Sequence, residues 1–127
     1  MLSETAPGRE AVAAAREAVA IWRALAGASP AAHRADLAHS LRSYAMVCVR
    51  CRRDLSAARD AAMESAIEYQ RLAILHPEAF GEQPSAATAT LIAVMEAMGK
   101  PAILSLIRQN LQRAGLTGSD RLHRPPV

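Results

Sequence analysis

Sliding the chain along itself by 47 residues lays residues 11–33 on residues 58–80, and this self-match constrains the fold more than any short motif does. Identical pairs are Ala11/Ala58, Ala14/Ala61, Ala15/Ala62, Glu17/Glu64, Leu25/Leu72, Ala26/Ala73, Pro30/Pro77 and Ala32/Ala79. Without any gap, Trp22 falls on Tyr69, Val47 on Val94 and Arg53 on Lys100. A chain that repeats a unit must bury that unit's apolar face on its neighbour, so a stack of like units is expected.

The repeated unit is helical. Of the 127 residues 51% are apolar, yet the only aromatics are Trp22, Tyr44, Tyr69 and Phe80, while 29 are alanine. Alanine has the best helix propensity, and its small side chain lets helices approach closely. Runs of β-branched or aromatic residues that would favour a sheet are scarce, so the expected fold is all-α. Apolar stripes and stop signals predict helix one over Arg9 to Ala26, with Ala11, Ala15, Ala18, Trp22 and Leu25 inward. The break at Gly27 to Pro30 is followed by helix two, Asp36 to Cys51, with Asp36 as its cap or first-turn acid and Leu37, Leu41, Tyr44, Cys48 and Cys51 on its buried stripe. Helix three spans Leu55 to Leu75, with Ala58, Ala62, Ser65, Tyr69 and Leu72 inward. Helix four starts near Pro84 and ends at Met98-Gly99, its stripe being Pro84, Thr88, Leu91, Met95 and Met98. Helix five starts at Pro101 and buries Ile103, Leu106, Ile107 and Leu111. The expected organisation is a flexible N-terminus (1–8), one helical domain (9–115) and a disordered tail (116–127).

Cys48-Val-Arg-Cys51 has the spacing of a redox pair or half a zinc site. Under the 47-residue shift, however, Cys48 corresponds to Met95 and Cys51 to Met98. A position filled once by cysteine and once by methionine behaves as a buried hydrophobe. Zinc would need a second ligand pair, which His33, His39, His76 and His123 do not supply. No metal or cofactor is expected. Asp36, His39 and Ser40 share one helix and do not form a nucleophile–base–orienter line. Glu64 and Glu68, one turn apart, are expected to face solvent. The sequence therefore points away from an enzyme. The net charge of +3 comes from dispersed charges, with one dense cluster at Arg50, Arg52 and Arg53. Such a cluster, joined by Arg59, would let the chain bind nucleic acid weakly. A helix end interacting with the macrodipole is the simpler reading. The longest nearly apolar run, Ala86 to Gly99, is too short and mixed to span a bilayer, and no signal peptide is visible, so a cytoplasmic protein is expected.

Residues 36–80 resemble one unit of a tetratricopeptide-type repeat array of a long-period bacterial kind. By that resemblance Leu41, Tyr44 and Cys48 take the first helix's packing sites. Ala58, Ala62 and Ser65 take the small-residue sites of the second helix, with Tyr69 its aromatic and Pro77 its closing proline. The second unit offers Leu91, Met95 and a Gly99-Lys100 turn, where the first has Arg52 in place of the usual glycine. The 47-residue period exceeds the usual 34, and HEAT- or armadillo-like repeats are the rival architecture. The resemblance implies a short α-solenoid of about five helices, acting as a non-catalytic scaffold for protein–protein interaction. The expected groove is lined by helices two and four, with His39, Arg42, Ser43, Met46, Arg50, Thr90, Ala93 and Glu96 as its contact residues. Arg42 and Arg50 suit the carboxylates of an acidic peptide. Helix one matches the second helix of a unit whose first is absent. The array is then self-assembling through helix one or five, completed by a partner, or part of a larger regulatory protein.

Overall fold

A computed structural model describes residues 2–100 together with 109–110 and 112–113. Among the described residues every regular element is a helix. The order is α1 (Leu2–Ala28), α2 (Pro30–Cys51), α3 (Leu55–Leu75), α4 (Pro77–Phe80) and α5 (Gln83–Ala97). α1 packs on α2, α2 on α3 and α3 on α5, while α2 also reaches α5 and α4 leans on α3. Ion pairs Arg16–Asp54 and Arg23–Glu64 tie α1 to the start and middle of α3. The chain is thus an all-α stack of helical hairpins. Among the described residues no helix is long and apolar enough to cross a membrane.

The 47-residue repeat is present in the backbone as well as in the side chains. Ser29 breaks the chain at φ −146°, ψ 77°, and its equivalent His76 does so at φ −137°, ψ 70°. Each is followed by proline at the first helical position, where a missing N–H costs nothing. The helix ends match too. Arg52 N–H donates to the Val49 carbonyl (3.2 Å) and Arg53 N–H to that of Cys48 (3.1 Å). Forty-seven residues on, Gly99 N–H donates to Glu96 (3.0 Å) and Lys100 N–H to Met95 (3.2 Å). Both are Schellman closures, which need a left-handed residue just past the helix. Arg52 adopts it at φ 52°, Gly99 at φ 69°. Trp22 meets the His33 ring at 5.7 Å between centroids, and the equivalent Tyr69 and Phe80 pack in one cluster.

Two of the expected stripes hold. Leu37, Leu41, Tyr44 and Cys48 of α2 are buried with Cys51 half-buried, and Ala58, Ala62, Ser65, Tyr69 and Leu72 of α3 are all buried. Ser65 Oγ, wholly enclosed, donates to the Ala38 carbonyl at 2.8 Å and fixes α3 against α2. α3 has the expected bounds. The other two stripes need correction. In α1 the inward residues are Val12, Ala15, Val19, Trp22 and Ala26, while Ala11 and Leu25 are exposed. In α5 the buried residues are Pro84, Ala87, Thr90, Val94 and Met95, whereas Thr88, Leu91 and Met98 are half-buried. Both helices are apolar over more than one face, so spacing alone does not single out the inward one.

Two helix starts also move. α1 extends back to Leu2, through residues expected to precede it. α2 starts at Pro30, because proline there opens the helix rather than closing the loop. Asp36 is consequently in its second turn instead of at a cap or in the first turn, with Oδ2 3.4 Å from His33 Nδ1. The short α4 was not expected. Of the expected fifth helix, residues 109–110 and 112–113 are helical. Pro101, Ile103, Leu106, Ile107 and Leu111, with the tail 116–127, lie outside the described residues.

Candidate functional site

Residues four and eight apart on a helix share a face, so Arg42, Met46 and Arg50 form a row on α2, with Ser43 and Val47 beside it. Among the described residues, these five line an open groove with a volume of about 410 Å³. Met46 and Val47 are half-buried and form an apolar floor, while exposed Arg50 stands at one end and Arg42 at the other. Over eight residues the helical rise separates the backbones of these two arginines by about 12 Å along the axis. Four of the eight expected contact residues therefore converge. Val47 was missed as a lining residue, although its match with Val94 in the self-alignment marked it as part of the repeat.

Thr90 is not a surface contact. It is 3% exposed, and its hydroxyl accepts from Arg42 Nε (3.0 Å) while donating to the Ala86 carbonyl (3.2 Å). Its role is to hold Arg42 against α5, which orients one wall of the groove. His39 is exposed one turn before Ser43, Ala93 is half-buried and Glu96 is exposed on α5, and none of the three lines the groove. Asp36 faces His33, not His39, and Ser40 is buried at the α2 packing surface, so the three polar residues considered together in the sequence are not assembled.

A second, smaller concavity of about 220 Å³ lies between α1 and α3 above Leu41 and Tyr44 of α2. It is bridged by charge pairs. Arg23 grips Glu64 with two hydrogen bonds of 2.8 and 2.9 Å, and Arg16 reaches Asp54 at 3.1 Å. Glu64 and Glu68, expected to face solvent, act as inter-helix ties, since Glu68 accepts from both Arg34 of α2 (3.2 Å) and Arg71 (3.1 Å). Satisfied ion pairs leave that valley little to offer a ligand.

Cys48 is fully enclosed and Cys51 half-buried, the same two burial states as their equivalents Met95 and Met98. Desolvation pushes the Cys48 thiol above its ordinary range, the opposite of what an activated nucleophile or metal ligand needs. Burial likewise raises the Tyr44 and Tyr69 phenols. Among the described residues, no group of three or more His, Cys, Asp or Glu is gathered closely enough to hold a metal ion. Of the arginine cluster, Arg52 is committed to the left-handed closure, Arg53 is half-buried and Arg59 pairs with Asp60 (3.3 Å). Comparison of the chain with protein-family models, with curated proteins and with solved structures gave no match.

Proposed function

We propose that this chain is a non-catalytic interaction scaffold of the tetratricopeptide type, which receives an acidic amphipathic peptide or helix in the α2 groove. The observation that carries the reading is the groove itself, an apolar Met46–Val47 floor between two arginines whose backbones are about 12 Å apart, one braced by Thr90. Met46 offers an adaptable surface to an apolar side chain. Each guanidinium offers a planar fork to a carboxylate. The matching helix closures at Arg52 and Gly99 support a true structural repeat, which is the setting in which such grooves arise.

The test is fluorescence anisotropy with a labelled helical peptide that carries leucines on one face and glutamates two turns apart. Arg50→Glu, at an exposed position, should weaken binding about tenfold or more, the loss of one charge-assisted contact. Arg42→Lys should weaken it as well, because lysine lacks the fork. Equal binding by wild type and Arg50→Glu rejects the groove. A labelled single-stranded oligonucleotide that binds more tightly than the peptide, with a steep salt dependence, would favour the nucleic-acid reading instead.

A further inference from the structure

α1 carries two apolar seams. The first, Val12, Ala15, Val19, Trp22 and Ala26, is packed on the core. The second, Ala11, Ala14, Ala18, Ile21 and Leu25, also has alternating spacings of three and four, yet it faces out. Ile21 is 53% and Leu25 40% exposed, Ala11 and Ala14 are exposed and Ala18 is half-buried. This uncharged stripe is left largely uncovered by the described residues.

The internal repeat shows how such a stripe is covered. Adding 47 converts the open seam into Ala58, Ala61, Ser65, Glu68 and Leu72 of α3. That is the side of α3 that packs on α2: Ser65 bonds to Ala38, Glu68 pairs with Arg34, and Leu72 clusters with Ala38 and Ala35. In that antiparallel pair the alanines at the start of α3 receive the large Leu41 and Tyr44, and its Leu72 lies over alanines of α2. Among the described residues, α1 has no such neighbour on this seam. It also has Ile21 where α3 has Glu68, so its cover must be apolar where α2 presents Arg34.

We infer that the open seam of α1 docks the same seam of a second copy, the two α1 helices crossing antiparallel about a two-fold axis beside Ala18. The stripe is small at its start and large at its end, and reversal makes it complementary to itself. Leu25 of one copy lies over Ala11 of the other, Ile21 over Ala14, and Ala18 over Ala18, where two methyls permit close approach. An isologous contact along this stripe is about 21 Å long by helical rise, and with three of its five residues alanine it falls at or below the roughly 1,000 Å² of total area that a specific interface needs. The dimer is therefore a weak one. Glu17 flanks the crossing in both copies, while Arg16 and Arg23 are engaged with α3, so added salt screens a repulsion and tightens the pair. Peptide binding through arginines has the opposite salt response, which separates the two interfaces.

The experiment is sedimentation equilibrium of the full chain over about two decades of concentration around the micromolar range, with circular dichroism to verify folding. Wild type should pass from monomer to dimer, more tightly at high salt. Ile21→Glu, at an exposed position, should stay monomeric and keep its helix content. Ala18→Cys should form a disulfide-linked dimer on mild oxidation, faster than Ala11→Cys. A wild type that stays monomeric throughout, an Ile21→Glu variant that dimerises as wild type does, dimerisation that weakens with salt, or Ala11→Cys linking as fast as Ala18→Cys would each overturn the proposal.

Discussion

Arg52 and Gly99 occupy the same place in two copies of one helix ending, so exchanging their chemistry should produce opposite effects on stability. Both backbones are left-handed, at φ 52° and φ 69°. A residue with a Cβ pays about 1–2 kcal/mol there. Glycine avoids that strain but brings about 0.4–1 kcal/mol of extra unfolded-chain entropy. Arg52→Gly should therefore stabilise the protein by about 0.5–1 kcal/mol, because Arg52 is exposed and no hydrogen bond or ion pair of its side chain would be sacrificed. Gly99→Ala should destabilise it by about the same amount, since a Cβ on Gly99 would meet nothing within 4 Å and only the backbone conformation opposes it. Urea unfolding followed by circular dichroism reads both, with the midpoint rising for one variant and falling for the other at unchanged slope. If Arg52→Gly lowers the midpoint, or both variants move it in the same direction, the equivalence of the two closures is wrong.

The cysteines should react in order. Half-buried Cys51 should be alkylated in the native protein, whereas enclosed Cys48 should react only at the rate of unfolding, a difference visible by mass spectrometry over time. Cys48→Ala should destabilise the fold by about 1–2 kcal/mol, the range of a small core truncation, and should leave peptide binding unchanged at temperatures where the variant is folded. Alkali should weaken the fold. Cys48, Tyr44 and Tyr69 all have folded pKa values raised by burial, so their contribution is complete below the unfolded values of 9.0 and 10.0 and is lost as pH rises above them. Urea midpoints measured from pH 7 to 11 should be flat at first and then fall; a rise above pH 9 would contradict the burial of these groups.

The parts of the fold legible in the sequence are those where side-chain size distinguishes one face from another. α3 sets Tyr69 and Leu72 in line with the small Ala58, Ala62 and Ser65, so both its limits and its stripe could be read even though Met63, Ile67, Ile74 and Leu75 are apolar and exposed on its outer face. α2 was equally clear along Leu37, Leu41, Tyr44 and Cys48, but its start was not, since a proline serves as well to open a helix as to end one. α1 failed for a different reason. Its two apolar seams are adjacent, and the expected stripe took Ala11, Ala18 and Leu25 from the outer one and Ala15 and Trp22 from the inner. In the groove, Arg42, Ser43, Met46 and Arg50 came from the tetratricopeptide resemblance, which assigned the side of α2 away from its packing stripe and with it His39, which does not line the groove. The burial of Thr90 was not legible, because it depends on how α5 lies across α2, which no local pattern encodes.

The joint at Ser29 is a single residue, with helix on both sides. It leaves no slack in the chain. One residue inserted there has no loop to absorb it and would shift α2 relative to α1, carrying Leu37, Leu41 and Cys48 off their neighbours. The matching joint at His76 leads instead into the four-residue α4 and the Gly81-Glu82 turn, which can lengthen before α5 must start. Length variation should therefore be lethal to the fold at the first joint and tolerated at the second. The spacing between units can drift only where the chain has already left the helix.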